Sequence, residues 1–289
     1  MKHLIENTAL ILEGGGMRAT YTGGMLSLFI DKDIYFPYIT GISAGTTLLT
    51  NLVLRDTKRL YDSFVISAAD PDFAGMSHFL RGQGFFNSFY IYEEAGYEGG
   101  MLEVDWEAWQ RDESRITIGA FDATNGRMKY WHKEDIHTLR DLMRICRASS
   151  SLPVAMPPTY IDGICYMDGG IADSFGLDEA EKAGYEQFVI LPTHVRGFRR
   201  EPFRENPLMK AALYKYPSAY EGLRHRAERY NAVMEHIDEL EREGRALVLY
   251  PDEMPLSRSD LKSEQLHEAF WRGRAQAERD FDSYGLISE

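Results

Sequence analysis

The chain alternates short, wholly apolar runs with longer stretches whose apolar residues return at helical spacing. Thr8 to Leu12 (TALIL) is one such run, followed by Glu13 and three glycines. It has the pattern of a strand buried on both faces of a parallel sheet. Met17, Tyr21, Met25, Leu28 and Phe29 then recur every few residues, which predicts a helix from Met17 to about Ile30. A second strand is expected near Tyr38 to Ile42, then a glycine-bracketed turn and a helix carrying Leu48, Leu49, Leu52 and Val53. Strand, glycine turn and helix, used twice in succession, is the grammar of a doubly wound α/β sheet.

Further strands are expected at Arg115 to Phe121 and Arg127 to Trp131, joined through Asn125-Gly126. Another pair runs through Thr159 to Met167, hinged at Asp162-Gly163, and Gln187 to Leu191 forms a last apolar strand before Pro192. After Pro192 the character changes. Arg196, Arg199, Arg200 and Arg204 lie close together, punctuated by Pro202 and Pro207. Leu223, Ala227, Tyr230, Met234, Ile237 and Leu240 then predict one long helix that stops at Gly244. A strand from Ala246 to Tyr250 leads to a second helix with Leu266, Phe270, Ala277 and Phe281 on one side. This division gives a main α/β domain over 1–195 and an α-rich extension over 196–289 packed on it.

Composition narrows the field. With 289 residues, 44% of them apolar, the chain can build one sizeable core. Its 32 Lys+Arg against 45 Asp+Glu leave a net charge of −13, which argues against gripping nucleic acid. An anionic membrane would repel this average charge too, though a local basic patch can overcome it. Two cysteines, Cys146 and Cys165, cannot build a disulfide framework, and no CxxC pair suggests a structural zinc site. A reducing cytoplasm is the natural compartment. The N-terminus lacks the apolar core of a signal peptide. Ile34 to Leu54 carries no charge and is long enough to span a membrane, but its proline, glycines, serine, asparagine and threonines fit a broken, buried strand–turn–helix better.

Three short motifs carry chemistry. Gly41-Ile42-Ser43-Ala44-Gly45 is G-x-S-x-G at a strand-to-helix junction, where a serine nucleophile must stand exposed on a sharp turn and flanking glycines remove clashes. A plain helix start with Ser43 as its N-cap fits those residues as well. Gly14-Gly15-Gly16-Met17-Arg18, also between strand and helix, leaves backbone N–H groups free to converge on a phosphate or a tetrahedral oxyanion. A dinucleotide fingerprint would need glycine where Ala19 stands. Arg18, a cation in the first helical turn, opposes the helix dipole and calls for a counter-group, unless it is a solvated surface residue. Asp168-Gly169-Gly170 ends the strand after the Asp162-Gly163 turn; alone it reads as an ordinary turn.

In this order, and within the strings LEGGGMR, ITGISAG, RASSSLPVAMPP and YMDGGIADS, the three motifs resemble the bacterial branch of the patatin-like phospholipases. The resemblance covers roughly residues 8 to 195; residues 196–289 resemble, more loosely, the extension that follows the catalytic domain in that branch. One departure is Ala19, where the family's glycine-rich loop usually has glycine after the arginine. The resemblance implies a three-layer fold, with a mostly parallel central sheet between helices and a C-terminal helical extension. It also implies a Ser–Asp dyad, with Ser43 attacking an ester carbonyl and Asp168 as general base, and no cofactor or metal. Gly14 to Arg18 would form the oxyanion hole, with Gly15, Gly16 and Met17 as donors; losing one such donor typically costs about 3–4 kcal/mol. Gly41 and Gly45 would permit the elbow. An Asp general base needs its pKa lifted from about 3.9, which partial burial can do.

The implied substrate is the acyl ester of a phospholipid or lysophospholipid, met in transient contact with a membrane surface. A general soluble carboxylesterase shares every catalytic residue, and a lipid- or phosphate-binding protein on the same fold would use GGGMR as an anion cradle without turnover. A Ser…Asp…His triad is open to His194, His225, His236 or His267 by chain order, but only two strands fit before Ser43, too few for that fold's central elbow. The aromatics Phe79, Phe85, Phe86, Phe89, Tyr90 and Tyr92 fit core packing, with an acyl pocket or a lid as the alternative. The arginines at 196–204 read as a solvated face partnered by Glu201 and Glu205, or else as a lure for phosphate headgroups. Headgroup, acyl length and oligomeric state stay open.

Overall fold

The structure, a computed structural model, describes residues 2–286; Met1 and 287–289, the outermost positions of the two expected segments, lie outside it. The first two βα units form as their patterns require. Strand β1 (Thr8–Leu12) is buried throughout and leads through a single 3-10 turn, Gly16–Arg18, into helix α1 (Ala19–Asp31). Strand β2 (Tyr38–Ile42) enters helix α2 (Ala44–Leu54), so the uncharged stretch is the buried strand–turn–helix its composition suggested. Strands β3 (Arg115–Asp122) and β4 (Arg127–His132) follow, then helix α3 (Leu139–Ser150), capped by a reciprocal Thr138–Asp141 pair. Strands β5 (Thr159–Ile161) and β6 (Ile164–Met167) flank the Asp162-Gly163 turn, where both residues have positive φ, and β7 (Gln187–Leu191) closes the first part.

Beyond it the single long helix expected from Leu223 to Leu240 is broken at His225. Leu223 belongs to a short helix, Pro217–Arg224, and α4 (Arg226–Arg242) carries the buried Ala227, Tyr230, Met234, Ile237 and Leu240. Strand β8 is shorter than expected (Ala246–Val248), and α5 (Ser263–Asp280) ends the succession. The sheet order is β8-β7-β1-β2-β3-β6-β5, with β4 also on β3; the strands from β8 to β3 are parallel. Residues after 195 therefore supply an edge strand to the same sheet. Leu10 and Leu12 of β1 join the core beneath α1, α2, α3 and α5, whereas Ala9 and Ile11 face α4, which makes three layers.

The register positions the site. Strand β2 ends on one edge of β3, with Ile42 opposite Gly119. Strand β6 descends antiparallel to β3 with Met167 opposite Phe121. Because β4 occupies the other edge of these same residues, β6 must lie on the β2 side. The ends of β2 and β6 thus meet nearly head-on, with only Ala120 of β3 between their last pairings.

Helices α1 and α5 pack backbone to backbone. A β-carbon on Gly24 would overlap the carbonyl oxygen of Phe270, and one on Gly273 that of Tyr21. Tyr21 also donates to Gln276 Oε1 at 2.8 Å, and Gln276 donates to the Tyr250 carbonyl at 2.9 Å. Gly24→Ala should therefore destabilise the whole fold by about 1–3 kcal/mol, read as a lower urea midpoint with an unchanged slope; an unchanged midpoint would refute this close helix contact.

Candidate active site

Ser43 stands between β2 and α2 with φ 54° and ψ −126°, a backbone conformation unfavourable for any residue with a β-carbon. Neighbouring glycines make the turn possible: a β-carbon on Gly45 would strike the Leu12 carbonyl, and one on Gly41 the Gly45 carbonyl. The elbow is stapled by Ser149, whose Oγ accepts the Ser43 N–H at 2.8 Å and donates to the Gly119 carbonyl at 2.6 Å. Ser43 does not cap α2 with its side chain. Its Oγ donates instead to Asp168 Oδ2 at 2.5 Å.

Asp168, at the end of β6, is 2% exposed. Its N–H donates to the Ser151 carbonyl at 2.9 Å, and its Oδ1 accepts the Gly170 N–H at 2.7 Å. Burial raises its carboxyl above the ordinary range; the Ser43 hydrogen bond, Arg226, the Gly170 N–H and Arg258 pull it back. The late histidines are engaged elsewhere: His225 with Glu221 and Glu228, His236 with Glu181, His267 with Tyr61. His194 reaches the cavity beside Ser43 but stacks on Phe198 with centroids 3.5 Å apart. Burial and the charges of Arg18, Arg200 and Arg226 press its pKa down to about 3, so it is neutral.

The glycine loop narrows the expected donor set. Gly14 N–H donates to the Ser174 carbonyl and Met17 N–H to the Arg258 carbonyl, both at 3.1 Å, so neither is free for an oxyanion. Gly15 and Gly16 N–H have no acceptor among the described residues. Gly16 has φ 57°, a conformation glycine adopts freely. Ala19 sits in ordinary helical geometry (φ −61°) and is fully buried, so an alanine there puts no backbone strain on the loop. Behind the loop, the buried Glu13 accepts the Thr193 N–H at 2.5 Å. Burial raises Glu13 too, while Arg200 and Arg18 pull it down. Arg18 has no carboxylate within ion-pair distance among the described residues, so its expected counter-group is not supplied by a direct pair.

Two cavities meet at Ser43. A narrow one of about 80 Å³ is lined mainly by apolar groups, among them Phe64, Phe73, Phe86, Ile91, Tyr92 and Met143. The aromatic stretch therefore contributes both to the core and to this pocket, while Phe79 and Phe89 stay exposed. The other, of about 270 Å³, is polar and holds Asp168, His194, Arg18, Arg200, Arg226 and Arg258. Gly16, Ser43, Leu152 and Arg258 line both. The sequence reading missed Ser149, Arg226 and Arg258 and placed Arg200 on a solvated face. Arg196 and Arg199 do pair outward, but with Glu241 and Asp238 rather than Glu201 and Glu205. The run of three serines at 149–151 was the available signal for the staple. Among the described residues no His/Cys/Asp/Glu group is placed to hold a metal ion, and no helix is long and apolar enough to cross a membrane.

A family model described as patatin-like phospholipase matches residues 10–181, and the chain belongs to that family of lipid hydrolases. A second model, a domain of unknown function (DUF6363), matches residues 216–287. The uncharacterized protein YjjU of Escherichia coli (strain K12) is 25% identical over 187 residues, covering 64% of this chain and 51% of that protein, about half its length. The crystal structure of VipD from Legionella pneumophila superposes over 96% of this chain and 67% of its own, with TM-score 0.48 and 15% identity.

A carboxyl with a raised folded pKa binds its proton more tightly folded than unfolded. Stability therefore falls as pH climbs from the ordinary carboxylate pKa to the folded value, and above that window ionised Asp168 is a standing cost. Asp168→Asn should melt at or above the wild-type temperature at neutral pH, measured by calorimetry; a clearly lower melting temperature would mean the ionised carboxylate stabilises the fold.

Proposed function

We propose that the protein hydrolyses acyl esters of phospholipids or lysophospholipids through an acyl-enzyme on Ser43, with Asp168 as the base. The 2.5 Å hydrogen bond from Ser43 Oγ to the buried Asp168, at the junction of the apolar and polar cavities, carries this reading. Ser43 Oγ attacks the ester carbonyl while its proton passes to Asp168 Oδ2. The tetrahedral oxyanion is held by Gly15 and Gly16 N–H. Collapse breaks the C–O bond, and the departing alcohol takes the proton from Asp168. Water then attacks the acyl-serine, again giving a proton to Asp168, and release of the fatty acid returns the proton to Ser43. The acyl chain lies in the cavity of Phe73, Phe86 and Met143. A non-catalytic lipid binder would have no use for the strain at Ser43.

With lysophospholipid and p-nitrophenyl acyl esters, Ser43→Ala and Asp168→Asn are expected to lose about 10³-fold or more in kcat. Full activity in either variant would refute the assignment. Turnover should rise with pH as Asp168 ionises. Because Arg226 holds the Asp168 pKa down, Arg226→Gln should move the acid limb of kcat/KM to higher pH. A limb that stays in place or moves the other way would remove Asp168 as the titrating base.

A further inference from the structure

In a chain of net charge −13, four arginines converge on the polar cavity: Arg18 from the glycine loop, and Arg200, Arg226 and Arg258 from beyond residue 195. Most arginines nearby on the surface pair with acids, Arg196 with Glu241 at 2.6 Å being one. Among the described residues none of these four has a carboxylate within ion-pair distance. The Nε atoms of Arg18, Arg200 and Arg226 and the Nε2 of His194 are sealed from solvent and have no hydrogen-bond partner. Arg200 stacks on Tyr230 at 4.2 Å, which fixes its plane without neutralising it. The guanidinium groups also repel one another: burial and then Arg200 lower the pKa of Arg226 to about 10. Only the buried Glu13 and Asp168 offset these charges, neither in ion-pair contact, so guanidinium groups held together against each other are poised for an anion.

We propose that this cage binds the phosphate of the substrate's own headgroup, so that the preferred substrate is an acyl ester bearing a phosphate monoester with no compensating cation. The proposal rests on the hydrolase reading for its choice of substrate but not for the anion site itself. Ser43 is shared by both cavities, so an ester carbonyl at Ser43 sends its acyl chain into the apolar pocket and its alcohol portion into the arginines. Among the described residues Asp168 is the one acid lining the polar cavity, and Glu201 is the only other acid on the adjoining outer groove, which also carries Arg199. A headgroup ammonium would therefore enter among arginines, whereas a dianionic phosphate relieves their repulsion. The C-terminal extension acquires a specific role, since it carries three of the four arginines.

The test uses Arg200→Gln, because the charges that chiefly shift Asp168 are Arg226 and Arg258 rather than Arg200. Ser43→Ala protein, alone and combined with Arg200→Gln, is titrated with inorganic phosphate and glycerol 3-phosphate by calorimetry. In parallel, wild type and Arg200→Gln are compared on 1-acyl-glycerol 3-phosphate and on the monoacylglycerol of the same chain. The expected results are phosphate binding that weakens about tenfold in Arg200→Gln, and a preference for the phosphorylated ester that falls by a similar factor. Arg200→Lys should give an intermediate ratio. Absence of phosphate binding by the folded protein, or binding indifferent to Arg200, overturns the site. Phosphate binding without preference for the phosphorylated ester assigns the cage to free phosphate and overturns the headgroup assignment. Phosphate binding with no turnover of any ester overturns the hydrolase reading while leaving the anion site standing.

Discussion

Two strands that run toward each other along one edge of β3 leave Ser43 and Asp168 facing across the gap, and the rest of the site depends on that meeting. The gap spans Ala120 alone, because Ile42 pairs with Gly119 and Met167 with Phe121. A one-residue slip of either strand would turn its terminal side chain to the other face of the sheet. Ser149 guards against this on one side by bridging the Ser43 N–H and the Gly119 carbonyl, and the Ser151 carbonyl holds the Asp168 N–H on the other. Ser43 and Asp168 are thus fixed relative to each other by main-chain register and short hydrogen-bonded staples.

Burial at this point is costly, and the molecule does not offset it locally. Asp168 and Glu13 are carboxyls shut away from water, Ser43 is strained, and several cationic nitrogens lack partners. Each of these opposes stability by itself. The compensation comes from elsewhere: two apolar layers on the sheet, and an α1–α5 contact close enough to need glycine at both Gly24 and Gly273. The same low polarity that burdens Asp168 strengthens the field at Ser43, so what the fold loses in stability the site gains in electrostatic strength.

How much of this was legible in the sequence follows from how local each feature is. TALIL, the glycine turns and the Asp162-Gly163 hairpin are set by residues within a few positions of one another, and they form where their patterns place them. Ser43, Asp168 and the glycine loop were legible as motifs because a sharp strand-to-helix turn, a strand end followed by a tight turn and a glycine-rich loop each need a particular backbone shape, and the structure brings the three together. What escaped was non-local. Nothing near Met17 announces that its N–H donates to Arg258, more than 200 residues away, so it was expected as an oxyanion donor. Arg200 sits in a run whose neighbours Arg196 and Arg199 do face outward, and it is held on α4 instead, by backbone hydrogen bonds with Asn231 and by stacking on Tyr230. The break at His225 was hidden because apolar spacing continues across it from Leu223 to Ala227.

The central claim is that Asp168 activates Ser43. It is tested most directly by reacting the folded protein with a fluorophosphonate probe and locating the adduct by peptide mass spectrometry, with Asp168→Asn alongside. The account predicts a single adduct on Ser43 in the wild type and labelling at least about 10²-fold slower in Asp168→Asn. An unlabelled, folded wild type, or labelling at the same rate in Asp168→Asn, would contradict it.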